Sequence, residues 1–247
     1  MEESRLPTRR IKALLFDLDD TLLINDVERF MQRYFELLLA RMRDLVSPSL
    51  FFRAFQQASR AMLYNDGRDG TNAEVFAATF FPLIGKSPEE LAPVFEEFFA
   101  HDFETLRQYT AADPFARPLM ECVFQRGYQV AIATQPFFPR QANLARLRWA
   151  QVGAEEFPYS FITSYEVMRA CKPHPHYFSS LLQHLGRQAE ECLMVGDSPE
   201  ADMAAGRWGI KTFWVNRSQA PRSVQCDAQG TLEDLLTLIE TGGIDEL

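Results

Sequence analysis

Short apolar runs alternate with amphipathic segments along much of the chain. Runs that end in polar or turn residues predict buried β-strands, because strands covered on both faces are continuously apolar. These runs are residues 11–16, 128–133, 159–163, 192–195 and 212–215. Between the later strands, proline at the start or glycine past the end of a segment predicts helices. The helices are expected to begin at Pro139, near Pro175, at Ala201 and at Thr231, and the last three to end before Gly186, Gly209 and Gly242.

Alternation of strands and helices predicts an α/β fold, a parallel sheet with helices on both faces. The region from 23 to 112 departs from this alternation. It contains no clear strand, and its apolar residues recur at helical spacing, as in Phe30, Tyr34 and Leu38. We therefore expect an all-helical domain inserted after the first strand, with its phenylalanine stripes forming helix-packing core.

Composition and charge narrow the class of protein. The chain has 247 residues, of which 47% are hydrophobic, and this excludes a disordered or collagen-like protein. Asp and Glu outnumber Lys and Arg by 34 to 25, for a net charge of −9, which opposes binding to nucleic acid or to anionic membranes. A protein of this charge that handles phosphate must concentrate positive charge locally or bind a metal.

Cysteine usage and the N-terminus bear on location. The four cysteines show no CxxC pair, which favours buried thiols in a reducing compartment over disulfides. The first residues are charged and lack an apolar leader, and no uncharged run is long enough to span a membrane. A cytoplasmic location is the expectation.

The candidate chemistry lies at strand ends. Asp17, Asp19 and Asp20 directly follow the first predicted strand, and carboxylates this close need a compensating cation. An isolated run of this kind is often a solvated turn. In open parallel sheets, however, ligands bind at the carboxyl ends of the strands. Further polar residues follow other predicted strands: Thr134, Lys172 and Asp197.

Together these residues resemble the motifs of the haloacid dehalogenase superfamily of hydrolases. The four motifs, in chain order, are Asp17, Asp19 and Thr21 as DxDxT; Thr134; Lys172 in a KPxP context; and Gly196-Asp197-Ser198 with Asp202 as GDSxxxxD. The resemblance, to phosphoglycolate-phosphatase-like members, implies a Rossmannoid core of residues 1–22 and 113–247. It also implies that residues 23–112 form the helical cap that the family calls C1. Gln135 stands where many members have Asn, which leaves its backbone N–H available to phosphate.

The expected activity is hydrolysis of a small phosphorylated metabolite with Mg²⁺. Asp17 would attack phosphorus and form an aspartyl-phosphate, and Asp19 would protonate the leaving alcohol and later deprotonate water. Thr134 and Lys172 would hold the transferred oxygens. The residues expected at the metal are Asp17, Asp19 through its carbonyl, Asp197 and Asp202. Asp202 would support Lys172 or a metal-bound water, or would simply be a carboxylate at a helix start.

Other functions of the same scaffold stay open. A phosphomutase and a 2-haloacid dehalogenase are alternatives, although the dehalogenase reaction requires neither a leaving-group acid such as Asp19 nor a metal ligand such as Asp197. A non-catalytic module that only accepts phosphate is a further alternative. Elsewhere we expect His174 and His176 at a surface or helix start, Glu200 as a solvated carboxylate, Asp20 in a turn and residues 66–70 as a loop.

Overall fold

The computed structural model describes residues 10–217 and 223–247, so residues 1–9 and 218–222 of the predicted core lie outside the described ones. In these ranges the strands are β1 (Ala13–Phe16), β2 (Leu23–Asn25), β3 (Thr110–Ala112), β4 (Gln129–Ile132), β5 (Phe161–Ile162), β6 (Cys192–Gly196), β7 (Lys211–Val215) and β8 (Ala228–Gly230). The α-helices are α1 (Val27–Met42), α2 (Pro48–Leu63), α3 (Asn72–Ile84), α4 (Pro88–Glu97), α5 (Ala116–Gln125), α6 (Arg140–Trp149), α7 (Pro175–Leu185) and α8 (Leu232–Thr241). No helix within the described ranges is long and apolar enough to cross a membrane.

A six-stranded parallel sheet organises the fold, with the order β5-β4-β1-β6-β7-β8. The central strand β1 is fully buried, which explains its uninterrupted apolar sequence. Its last residue, Phe16, lies in register with Ile132 of β4 and Val195 of β6. The carboxyl ends of these three strands therefore meet at one edge. All five predicted strands are confirmed, whereas the short edge strand β8 carries no apolar run and was missed.

The predicted helix ends are confirmed at α6, α7 and α8. Gly186 terminates α7 in the left-handed conformation at φ 63°, and the Thr231 side chain forms a capping box with Asp234 at the start of α8. The helix expected from Ala201 to Trp208 is instead a short 3-10 helix, Met203–Trp208. The Ser198 carbonyl accepts both the Asp202 and Met203 N–H groups, so regular helical geometry does not begin there.

The segment from 23 to 112 is helical, but the prediction that it lacks strands was wrong. Strands β2 and β3 pair antiparallel at its two ends, with Leu23 opposite Ala112. Each strand has only three residues, too few for a readable pattern, and the pairing joins distant parts of the chain. This ribbon brings both ends of the helical segment to the same point of the core.

Aromatic rings fill the interior of the helical segment, as predicted. Tyr34 contacts Phe98 edge-to-face with ring centroids 5.3 Å apart, and Phe51 contacts Phe80 at 5.5 Å. Phe103 stacks on Trp149 of α6 at 5.2 Å. The phenylalanine stripes thus serve helix packing, and one of them also joins the segment to the core.

All four cysteines are free thiols. Cys171 and Cys192 are buried as predicted. Cys122 and Cys226 are only partly buried, so the prediction of buried thiols was wrong for these two. Both lie in segments near the surface, where a small thiol needs no complete cover.

Candidate active site

The carboxyl edge of the sheet collects the predicted motif residues. Asp17 follows β1 and donates its backbone N–H to Val195 of β6 at 2.9 Å, and Thr134 lies two residues beyond β4. Asp197 directly follows β6. Lys172 approaches from the segment between β5 and α7. The expectation that these residues share one edge is confirmed.

Lys172 makes two buried ion pairs at the centre of this edge. Its Nζ lies 2.8 Å from Asp17 Oδ1 and 2.6 Å from Asp202 Oδ1, and none of the three side chains is more than 8% exposed. The second Asp202 oxygen accepts the Ser198 backbone N–H at 3.0 Å. Asp202 therefore holds Lys172 and the Asp197 loop together, and is more than a carboxylate at a helix start.

Gly196 makes this arrangement possible. A Cβ atom at this position would lie 2.2 Å from Asp202 Oδ2, far inside van der Waals contact. Only glycine lets the Asp202 carboxylate approach the end of β6 so closely. The glycine of the fourth motif is thus explained by packing against Asp202.

The acidic cluster has the donor set and the charge of a divalent metal site. Asp17, Asp197 and Asp202 each offer an oxygen, and these oxygens lie within 4.8 Å of one another. Three carboxylates and one ammonium leave two negative charges, which one divalent cation balances. Hard carboxylate oxygens of this kind suit Mg²⁺.

The pKa shifts in this cluster reflect the same excess of negative charge. Burial raises the pKa of Asp17 well above its usual range, and Lys172 only partly offsets this. Burial, together with the negative charges of Asp202 and Asp20, raises the pKa of Asp197 to about 7. Burial by itself would lower the pKa of Lys172, but Asp17 and Asp202 raise it, so Lys172 stays charged. The carboxylates, rather than the lysine, lack a sufficient counter-charge.

Thr134 presents a free hydroxyl to this edge. Its backbone carbonyl accepts hydrogen bonds from Thr163 Oγ1 at 2.8 Å and from the Tyr177 hydroxyl at 3.0 Å. Its own Oγ1 is buried without a protein partner, as is Oγ1 of Thr21. A buried unpaired hydroxyl is costly, so the Thr134 hydroxyl is available to an incoming oxygen ligand.

Gln135 has a role that sequence reasoning missed. Its side chain accepts the Lys172 backbone N–H at 2.9 Å and donates to the Lys172 carbonyl at 3.1 Å. The second and third motifs are thereby joined through one amide. The presence of Gln135 where many members of the family have Asn was the signal in the sequence. Its partner, Lys172, lies 37 residues further along the chain.

Asp19 lies apart from the acidic cluster. Its side chain is 38% exposed and makes an ion pair with Arg146 of α6. Its other oxygen accepts a hydrogen bond from Asn25 Nδ2 of β2 at 3.0 Å. A metal contact through the Asp19 carbonyl stays a prediction. Neither Arg146 nor Asn25 was identified from the sequence, because the burial of one arginine within α6 is visible only in the structure.

The expectations for Asp20, His174 and residues 66–70 are confirmed. Asp20 adopts φ 54° in a turn, and its side chain accepts the Asn25 N–H. His174 precedes α7 and accepts the His176 N–H at 3.2 Å, so it is a helix-start histidine. Residues 66–70 form a loop that lies against the core through an Asp66–Ala170 bridge.

With this geometry in place, the chain belongs to the haloacid dehalogenase-like hydrolase family, whose model matches residues 11–209. The chain is similar to a phosphoserine phosphatase of Thermus thermophilus, with 26% identity over 91% of this chain and 96% of the relative. It is also similar to a glyceraldehyde 3-phosphate phosphatase of Methanopyrus kandleri, with 27% identity over 85% of each.

Solved structures show the same fold. A HAD phosphatase from Thermococcus onnurineus aligns with a TM-score of 0.59 at 22% identity, over 93% of this chain and 98% of that one. A 2-haloacid dehalogenase from Pseudomonas syringae pv. Tomato DC3000 aligns with a TM-score of 0.64 at 21% identity, over 94% and 99%. Enzymes of different activity thus share this scaffold, and the activity must be argued from the site.

Proposed function

We propose that this protein is a phosphatase that hydrolyses a small phosphorylated metabolite by transferring the phosphoryl group to Asp17 and then to water. The observation that carries the proposal is the buried pairing of Asp17 Oδ1 with Lys172 Nζ at 2.8 Å, beside two further carboxylates. The names of the curated relatives, which are phosphatases, support the same chemistry.

Asp17 is the proposed nucleophile. Its Oδ1 is occupied by Lys172, which leaves Oδ2 for attack on phosphorus. Lys172 contributes the local positive charge that an acidic protein otherwise lacks, and the free Thr134 hydroxyl offers a second contact to the transferred oxygens.

Asp19 is the proposed proton donor and acceptor. It lies two residues after Asp17, and its partial exposure gives it access to a leaving alcohol and to water. In the first step it would protonate the leaving oxygen, and in the second it would remove a proton from the hydrolytic water. A dehalogenase or a passive phospho-accepting module has no use for such a group.

Mg²⁺ is the proposed cofactor, held by Asp17, Asp197 and the Asp19 carbonyl, with Asp202 positioned to support it through Lys172. When bound, it would offset the negative charge of the carboxylates and of the phosphate. The Trp214 Nε1–H donates to the Asp197 carbonyl at 2.8 Å and orients that loop for the purpose.

We further propose that residues 23–112 act as a cap over residues 1–22 and 113–247. The β2–β3 ribbon is the connection about which such a cap would move. A cavity of about 280 Å³ lies between the helical segment and the core, with Tyr34, Phe99 and Tyr165 in its lining. None of the motif residues lines this cavity, and it is the closure of a helical cap over the site that would oppose a protein substrate sterically.

A phosphate-release screen tests the proposal. A panel of phosphorylated sugars, amino acids and hydroxy acids is incubated with the protein and Mg²⁺, and 2-chloropropionate is included with chloride detection. We expect phosphate release from at least one phosphomonoester and none from the Asp17→Asn variant. Chloride release without phosphate release would establish the dehalogenase instead, and transfer of phosphate between sugar positions would establish the mutase.

A further inference from the structure

A buried arginine contacts the proposed proton donor. The Arg146 side chain is 2% exposed, and its Nη1 donates to Asp19 Oδ2. The guanidinium also lies over the Phe138 ring, 4.5 Å from the centroid. Burying a guanidinium is costly unless it is well paired, and an apolar residue often stabilises such a position better.

A chain of hydrogen bonds holds Arg146 in place from inside the core. Its Nη2 donates to Asn143 Oδ1, and Asn143 Nδ2 donates to the Thr163 carbonyl at 2.7 Å. Thr163 Oγ1 in turn donates to the Thr134 carbonyl. The guanidinium is therefore oriented by the same strand ends that position the phosphate-binding hydroxyl.

The two oxygens of Asp19 are held from different sides. Oδ2 is bound by the charged, buried Arg146 of the core, and Oδ1 by the neutral amide of Asn25 in β2. The guanidinium adds a Coulombic attraction to its hydrogen bond with the carboxylate, which the neutral Asn25 amide cannot supply. Asn25 is thus the partner more readily exchanged, and Oδ1 is the oxygen more readily freed to exchange a proton.

We propose that Arg146 is a positioning residue that fixes Asp19 through Oδ2 and directs Oδ1 to the leaving-group oxygen. This inference rests on the proposed phosphatase function. Arg146 itself contacts neither substrate nor metal in this role, so its loss should act only through Asp19. The ion pair is not required to compensate a buried carboxylate, because Asp19 is 38% exposed.

A leaving-group series tests the role of Arg146. kcat/KM is measured with Mg²⁺ for aryl phosphates from dinitrophenyl to phenyl phosphate, because only the poorer leaving groups need a proton. The variants are Arg146→Gln, Arg146→Lys, Asp19→Asn and the double variant Arg146→Gln/Asp19→Asn. The matched control is Arg148→Gln on the same helix, whose exposed side chain pairs with Glu104 at 2.8 Å.

We expect Arg146→Gln to reduce kcat/KM for phenyl phosphate by about 10-fold or more, and for dinitrophenyl phosphate by less than about threefold. Arg146→Lys should lie between wild type and Arg146→Gln, and Arg148→Gln should match wild type. In the Asp19→Asn background, Arg146→Gln should cause no further loss. Melting temperatures of all variants identify any fold defect, and if Arg146→Gln is unstable, the same comparison is made with Arg146→Lys.

An equal loss for all leaving groups, or a full loss persisting in the Asp19→Asn background, would overturn the proposal. The second result would instead make Arg146 a substrate-binding residue. Failure of the proposed function is a different result: the wild-type protein would then release phosphate from no phosphomonoester, whereas a leaving-group series with unchanged slope refutes only the role of Arg146.

Discussion

Asp17 and Asp19 are two residues apart in sequence but lie in opposite environments. The Asp17 side chain is 8% exposed and shares Lys172 with a second buried carboxylate, whereas the Asp19 side chain is 38% exposed and its partners are Arg146 and Asn25. Asp17, Lys172 and Asp202 form a buried cluster at the carboxyl edge of the sheet. The Asp19 cluster joins a core helix to the ribbon that leads into the helical segment.

The difference shows how one short motif can hold two chemical roles. A nucleophile benefits from a buried, fixed position beside positive charge, where water is excluded. A group that exchanges protons must reach both a leaving group and water. Strand alternation would place residues two apart on one face, but β1 ends at Phe16, and the turn that follows it separates the two carboxylates.

The largest expected effect comes from removing the nucleophile. Asp17→Asn should lower turnover by about 10⁴-fold or more, because the amide is nearly isosteric but cannot attack phosphorus. Steady-state phosphate release gives the rate, and thermal unfolding shows whether the fold is intact. Glu190→Gln, an exposed change before β6 at the opposite edge of the sheet, is the control. Activity near that of wild type would mean that Asp17 is not the nucleophile.

The next largest effect is expected from removal of the metal, which should act on the acidic cluster around Asp17 and not on the contacts of Asp19. Excess chelator should abolish detectable phosphate release and added Mg²⁺ should restore it, because the Asp17 cluster carries uncompensated negative charge. Asp197→Ala should raise the Mg²⁺ concentration needed for half-maximal rate. Titration of activity against Mg²⁺ measures both effects. Full phosphate release in excess chelator would show that the phosphatase reaction does not require the metal.

Asp19→Asn should cause a smaller and more selective loss. We expect about a 10²-fold to 10³-fold decrease for alkyl phosphates and a smaller decrease for an activated aryl phosphate, whose phenolate leaves without a proton. Single-turnover measurements of aspartyl-phosphate formation isolate the first step. If both substrate classes lose the same factor in that step, Asp19 is not the acid.

The smallest expected effect concerns stability of the metal-free protein. Because burial raises the pKa of Asp197 to about 7, the folded state binds that proton more tightly than the unfolded state does. The stabilising contribution of this proton is therefore complete below the pKa of Asp197 in the unfolded state, and it is lost as the pH rises from there to about 7. Asp197→Asn should stabilise the metal-free protein at about pH 8 by about 1 to 3 kcal/mol and by less than half as much at about pH 5.

Chemical or thermal unfolding in chelator measures this difference. Mg²⁺ at about pH 8 should reverse it, stabilising the wild-type protein more than the Asn variant. A variant that is less stable than wild type at both pH values without metal would show that the Asp197 carboxylate is already compensated by protein groups.

Local pattern was sufficient for five of the six strands of the sheet and for one half of the site. The apolar run before Asp17, the Gly-Asp-Ser after β6 and the Thr231–Asp234 spacing each depend on neighbours in sequence, and each predicted its element. Since parallel strands end at a common edge, residues placed after those strands had to converge. The convergence of Asp17, Thr134 and Asp197 follows from that rule.

Other features required packing between distant segments. Helix α5 was not predicted, and the three-residue strands β2 and β3 have no periodicity of their own and exist because each pairs with the other. Gln135 could be seen as a departure from the motif, but neither its pairing with Lys172 nor the pairing of Arg146 with Asp19 could be seen in the sequence.

By itself, therefore, the sequence determined the buried strands of the sheet, the ends of those strands and the identity of the charged groups, because burial pattern and turn chemistry are local properties. Only the tertiary structure decided the surroundings of each carboxylate. Whether Asp19 meets the metal cluster or Arg146, and how closely Asp202 approaches Gly196, depend on helix positions fixed by the whole core.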